Sequence, residues 1–160
     1  MKVVIQRVSR AQVSINGEVT GKINKGLVLL IGIAEDDTEE DIKYCSQKCA
    51  DLRIFEDEDG KMNRSVLEER GEILAISQFT LLGNTRKGRR PSFIKAADTQ
   101  KGNEYHRKFI NILKEKDLNV AEGKFGAIMD VELVNAGPVT IILDSKLDRS
   151  ESRRGNIKET

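Results

Sequence analysis

At 160 residues, with 38% hydrophobic and 33% charged side chains, the chain has the size and balance of one soluble globular domain, which excludes a disordered polyelectrolyte. A net charge of +1 excludes a general nucleic-acid coat and suits an anion gripped locally. No apolar run approaches the roughly 20 residues needed to span a bilayer, and the strand-like start Met1-Lys2-Val3-Val4-Ile5-Gln6-Arg7 is no signal peptide, so a cytosolic location is expected.

Residues 3–8 and 12–15 favour strands, and Asn16-Gly17 predicts a hairpin into a strand over 18–23. Asn24-Lys25-Gly26 makes a second turn, and the unbroken apolar run 27–33 predicts a central strand buried on both faces. Asp36-Asp37-Thr38-Glu39-Glu40-Asp41 then opens a helix, with Asp37 or Thr38 as its cap and acids at its positive end. Ile42, Cys45, Cys49 and Leu52 recur at helical spacing and should face the core. Cys45 and Cys49 are the only cysteines, and His106 is the only histidine. These three cannot alone build a four-ligand zinc site, so the thiols read as buried packing groups and no metal or other cofactor is expected.

Another strand is predicted to start at 53–55, with Asp59-Gly60 turning it back toward 61–63. The longest strand candidate is 72–82, followed by a polar, basic loop over 83–91. A second helix is expected over 103–116, with Tyr105, Phe109, Ile112 and Leu113 as its apolar stripe. Strands over 127–134 and 139–143 would be joined by an Asn135-Ala136-Gly137-Pro138 turn. From Ser145 the composition turns to Ser, Arg, Lys and Glu, which predicts a domain over 1–145 and a flexible polar tail over 146–160. The sum is an α/β, β-rich layered single domain: two packed sheets or a barrel-like β core, with two main helices on one face.

Chemistry is harder to place. Ser77, Thr80 and Thr140 offer hydroxyls, but a nucleophilic hydroxyl needs a positioned base. His106, between Tyr105 and Arg107, reads as a partly exposed surface residue, and no Gly-x-Ser-x-Gly elbow is present. The carboxylate clusters 35–41 and 56–59 fall at a helix start and a hairpin tip, where charge simply meets water. Gly83 and Gly88 lack the Lys-Ser/Thr that completes a phosphate-binding loop. The basic residues Arg86, Lys87, Arg89 and Arg90 make either a solvated connection or a phosphate grip. Their place directly after the 72–82 strand favours the grip.

Ser77-Gln78-Phe79-Thr80-Leu81, then Thr85-Arg86-Lys87-Gly88-Arg89-Arg90-Pro91-Ser92-Phe93, then Asn135-Ala136-Gly137-Pro138-Val139-Thr140-Ile141 closely resemble the D-aminoacyl-tRNA deacylase family. Val4-Ile5-Gln6-Arg7-Val8, Leu52-Arg53-Ile54-Phe55-Glu56-Asp57 and Gly123-Lys124-Phe125-Gly126-Ala127 extend the resemblance across residues 1 to about 145, in order. Ala136 stands where an acidic residue is common.

The resemblance implies hydrolysis of the ester between a D-amino acid, or mischarged glycine, and the 3′ end of tRNA, by a homodimer with active sites at the subunit interface. It implies a cis Gly137-Pro138 peptide reaching into the partner's pocket, whose carbonyl oxygens crowd an L-residue at Cα; specificity would come from exclusion. Ser77, Gln78 and Phe79 would line the pocket, with the Gln78 and Phe79 amides as an oxyanion hole. Thr80 would not be the nucleophile; the terminal adenosine's 2′-hydroxyl would help activate water. Phe125 and Met129 would form the adenine pocket, or else serve as core side chains. Arg7 would hold the Gly-Pro turn, and Thr140 would join it among the substrate-binding residues. A non-catalytic tRNA- or RNA-binding module, or a dimeric scaffold whose basic loop only holds phosphate, remain the other readings; the intact pocket motifs argue against both.

Overall fold

The computed structural model describes residues 1–155. β1 (Lys2–Ile15), β2 (Glu18–Ile23) and β3 (Gly26–Gly32) form an antiparallel meander. The two strands expected at the N-terminus are thus one long strand. Its first half pairs with β3, and its second half pairs with β2 across a bulge at Val13/Ser14. Asn16 and Gly17 both have positive φ (50° and 79°), the backbone that a tight hairpin requires.

Helix α1 (Glu39–Asp51) starts from Thr38, whose N–H donates to the Asp41 carboxylate at 2.8 Å. Two short strands, β4 (Phe55–Glu56) and β5 (Met62–Arg64), make a separate hairpin. β6 (Glu72–Ser77) runs parallel to β3. It ends at Ser77, and residues Phe79–Leu82 form a 3-10 turn where the sequence led us to expect continued strand. Gly32 permits that turn to fold back, because a Cβ there would overlap Leu82, Leu81 and the Gln78 carbonyl.

Helix α2 (Thr99–Glu115) begins four residues earlier than expected, with Asp98 as N-cap accepting from the Lys101 amide at 2.8 Å. β7 (Asn119–Glu122) then pairs parallel to β6. β8 (Asp130–Asp144) joins both remaining strand candidates, starting three residues later than the first was expected to, and runs antiparallel to β1 on either side of residues 136–139. The sheet order is β2-β1-β3-β6-β7 with β8 on the other side of β1. Gly21 of β2 lies so close to Glu122 of β7 that a Cβ would sit 2.6 Å from its carbonyl oxygen; the sheet curls until its ends nearly meet. The fold is mixed α/β, a nearly closed barrel-like sheet with helices.

β3 and β6 are buried on both faces. Leu27, Leu29, Ile31, Ile73 and Ala75 pack beneath Ile42, Cys45 and Cys49 of α1 and Phe109, Ile110 and Leu113 of α2. Val28, Leu74 and Ile76 point into the barrel with Val8, Val13 and Ile23. Burial pushes the Cys45 thiol up to about 12 and also raises the Cys49 thiol well above the ordinary thiol range; both are inert packing groups, as their spacing led us to expect. Leu52 is only half-buried.

Two expectations fail. Ser145–Gly155, read from composition as a flexible tail, is a third helix, α3. Its polar residues bond the acidic start of α1: the Ser145 hydroxyl donates to Asp41 at 2.6 Å, and Arg149 meets Glu40 at 2.5 Å. The rest of that tail, 156–160, lies outside the described residues. His106 is not a surface residue either; it is 5% exposed on the inner face of α2. No described helix is long and apolar enough to cross a membrane.

Candidate active site

The parallel strands β3, β6 and β7 end side by side, and the residues that follow each end enclose a cavity of about 570 Å³. Ile33 comes from the end of β3, Ser77, Gln78 and Phe79 from the end of β6, and Phe125 and Met129 from the segment after β7. A crevice beyond the carboxyl ends of parallel strands is where α/β sheets habitually bind ligands, since the chain must leave the sheet there and cannot fill the space. The structure therefore brings Ser77, Gln78, Phe79, Phe125 and Met129 together.

The 3-10 turn decides which amides are free. Gln78 N–H donates to the Ile31 carbonyl at 2.8 Å, extending the β6 ladder by one bond. That overturns the expected oxyanion role for the Gln78 amide, because its hydrogen is already used. The Phe79 and Thr80 amides, at the start of the turn, have no hydrogen-bond partner among the described residues. The Gln78 side-chain amide bonds the Thr80 hydroxyl, and no imidazole or carboxylate among the described residues bonds that hydroxyl. Phe79 is 56% exposed and packs edge-on against Phe93, centroids 5.2 Å apart.

Phe125 and Met129 are both seated on glycines. A Cβ at Gly102 would lie 3.2 Å from the Phe125 ring tip, and one at Gly123 would overlap the Met129 sulfur. Gly126, at φ 77°, closes a turn in which the Ala127 amide donates to Lys124 O at 3.1 Å, so Phe125 projects from a corner into the cavity. Behind it lies the His106 ring, 6.2 Å between centroids. Burial holds that imidazole's pKa down at about 4; Glu122 opposes the shift and Arg107 adds to it.

A second group forms around β8. Between the pairs Gln6–Thr140 and Val8–Asn135, β1 contributes one residue, Arg7, and β8 contributes four, 136–139. The first three bulge outward as the Ala136-Gly137-Pro138 corner, with Gly137 at φ 115° and a cis Gly137-Pro138 bond, while Val139 turns back into the core. Asn135 Nδ2 closes the neck, donating to Arg7 O at 3.1 Å and Val139 O at 3.0 Å. The Arg7 guanidinium, 9% exposed, donates from Nε to Ala136 O at 3.1 Å and from Nη1 to Ile54 O at 2.8 Å. Any Cβ on residue 137 would overlap that guanidinium, so glycine is required twice over, by dihedral and by space. The Thr140 hydroxyl accepts from Gln6 Nε2 at 3.4 Å. Gly137 and Pro138 are exposed and do not line the cavity of their own chain.

The basic loop stands apart. Asn84 and Ser92 exchange backbone bonds of 2.7 and 2.9 Å at its base, and Arg86, Lys87, Arg89 and Arg90 are all exposed without an ion pair among the described residues. No group of three or more His, Cys, Asp or Glu among the described residues is placed to hold a metal ion.

Residues 4–144 match the model of the family described as D-Tyr-tRNA(Tyr) deacylase. The chain belongs to this family. As a member it is a deacylase, a hydrolase. A D-aminoacyl-tRNA deacylase of Bacillus pumilus (strain SAFR-032) is 53% identical over 146 residues, covering 91% of this chain and 99% of that one. Another, of Dictyoglomus turgidum (strain DSM 6724 / Z-1310), is 53% identical over 154 residues, covering 96% and 98%. Among solved structures, the c-Myc DNA Unwinding Element Binding Protein superposes with a TM-score of 0.84 at 40% identity, covering 90% of this chain and 98% of that one. A probable eukaryotic D-amino acid tRNA deacylase shares the fold at TM-score 0.76 and 17% identity, covering 89% and 98%.

The motif residues were legible; their neighbours were not. Asp98, Thr99 and Gly102 at the start of α2 also border the cavity, and an Asp-Thr pair that can cap a helix just ahead of the expected one is the signal that could have flagged them.

Proposed function

We propose that this deacylase hydrolyses the ester linking a D-amino acid, or mischarged glycine, to the 3′ end of tRNA in the cytosol, as a homodimer whose cavities are completed across the interface. The observation that carries the reading is the division of the motifs into two groups. The corner is rigidly tied by Arg7 and Asn135 yet exposed, and it does not line its own chain's cavity. A wedge so firmly held needs an object, and the cavity of a second copy supplies one.

In this reading the terminal adenosine lies against Phe125 and Met129, and the ester carbonyl meets the free Phe79 and Thr80 amides. Water attacks the carbonyl carbon, aided by the adenosine 2′-hydroxyl. The electron pair moves onto the carbonyl oxygen, where fixed N–H donors contribute about 3 kcal/mol each. Collapse expels the 3′-oxygen, which takes a proton, and leaves the free amino acid. Thr80 stays out of the bond-making, since its hydroxyl has no base. The carbonyls of the partner's Gly-Pro corner occupy the space that an L side chain needs, so chirality is read by exclusion and the D side chain points outward. Arg86, Lys87, Arg89 and Arg90 contact tRNA phosphates.

Paired assays with D-Tyr-tRNA and L-Tyr-tRNA, without added metal, test the reading: the D-ester is cleaved and the L-ester is spared. Equal rates on both would end the exclusion argument, and no rate on either would leave the non-catalytic readings, a tRNA-binding module or a scaffold.

A further inference from the structure

We propose that His106 and Gly102, one turn apart on the inner face of α2, are positioning residues that fix the Phe125 ring as a flat wall for a planar heteroaromatic group of the substrate. The proposal rests on the cavity's being the seat of the terminal adenosine, and it assigns that specificity to two residues that act through Phe125.

Three observations converge. Gly102 is buried in the first turns of a 17-residue helix, where glycine costs about 1 kcal/mol relative to alanine. A Cβ there would press on the Phe125 ring tip at 3.2 Å, so the ring would have to give by a few tenths of an ångström. The helix gives up stability at a position where only the absent atom is useful.

His106 lies four residues on, so both residues present to the same side of the helix. Its ring backs Phe125 at 6.2 Å and 44°, within the range of productive aromatic pairing. It is 5% exposed, and its Nδ1 has no hydrogen-bond partner among the described residues. A residue kept only for core packing would be apolar there, since a buried nitrogen without a partner costs stability. What the ring supplies is a flat face of the right thickness behind Phe125. Met129 on the other side is seated over Gly123 in the same way, so both flexible walls of the cavity are set by contacts from behind.

The test uses the full-length protein and adenosine 5′-monophosphate as the probe, measuring its inhibition of D-Tyr-tRNA deacylation together with kcat and KM. His106→Ala and Gly102→Ala should each weaken inhibition and raise KM about two- to tenfold, the span of one aromatic contact, with kcat within about twofold. His106→Phe restores the flat backing and should return both constants to wild-type values. Phe125→Ala is the control and should abolish inhibition. If Phe125→Ala loses the nucleotide while both α2 variants keep it, the positioning role is wrong although the adenosine seat survives. If Phe125→Ala also keeps it, the adenosine seat itself falls, and the proposal with it. If kcat and KM move together in step with lost thermal stability, and His106→Phe rescues neither, His106 is merely structural. Should His106→Ala not fold, Gly102→Ala and His106→Phe still decide the matter.

Discussion

Lowering the pH from 7 to 5 should destabilise this protein through one residue. His106 is the only histidine, and its pKa falls from 6.5 to about 4 because burial disfavours the imidazolium. The folded state therefore holds fewer protons than the unfolded chain, so stability is present above 6.5 and is lost as pH falls toward 4. A shift of roughly 2.5 units corresponds to about 3 kcal/mol in full, of which about 2 kcal/mol is gone by pH 5. Glu122 of β7 and Arg107 on α2 are the charges that bear on it, and they act in opposite directions. Asp36 and Asp41 have pKa values lowered below 3.8, so their contributions are lost only below this window. Urea unfolding at pH 7 and pH 5 on wild type and His106→Phe reads the difference directly. Wild type should lose about 2 kcal/mol more than the variant over that interval. Parallel curves for the two proteins would refute the buried neutral imidazole.

Replacing Arg86, Lys87, Arg89 and Arg90 by Ala should weaken tRNA binding and flatten the plot of log affinity against log salt, by up to roughly 0.7–0.9 per phosphate contact removed; an unchanged slope returns the loop to a solvated connection. Thr80→Ala should keep kcat within about tenfold, because no base reaches the hydroxyl, and complete loss in a folded protein would restore a covalent mechanism. Arg7→Met should cost about 1–3 kcal/mol in urea unfolding, since the Ile54 carbonyl loses its buried donor. It should also narrow the ratio of D- to L-ester cleavage; a stable variant with full discrimination would show that the corner holds itself.

How much was legible depends on whether the signal was local. The Asn16-Gly17 hairpin and the double-sided burial of β3 follow from dihedral preference and hydropathy, and both stand in the structure. The end of β6 was not legible: Phe79-Thr80-Leu81-Leu82 is as good a strand as a turn, and Gly32 on a neighbouring strand decides between them. β8 was cut in two because proline ordinarily ends a strand; here the ladder resumes beyond the corner, and only the partner strand's count, one residue against four, reveals that. His106 sits between Tyr105 and Arg107, and nothing in that triplet states that Phe125, on a separate segment, will cover it. The α3 segment is polar by composition, and its helix is held by the acids at the start of α1, which the local pattern does not contain.

The same distinction explains where the candidate site lies. Every group that would touch substrate sits at a place where the regular pattern of a strand or helix gives way: the last residue of β6, the turn after β7, the bulge in β8. Each is then fixed by something more distant. Gly32 receives the 3-10 turn, Gly102 and Gly123 receive Phe125 and Met129, and Arg7 holds the corner. Irregular backbone frees amides and carbonyls from the ladder, and a missing Cβ or a buried guanidinium keeps them where they were freed. A deacylase that works through main-chain groups has no need of a reactive side chain, but it needs these supports. Loss of function should therefore cluster at Gly32, Gly102, Gly123, Gly137 and Arg7, and a saturation scan that instead concentrates its losses at Ser77 and Thr80 hydroxyls would assign the chemistry to side chains.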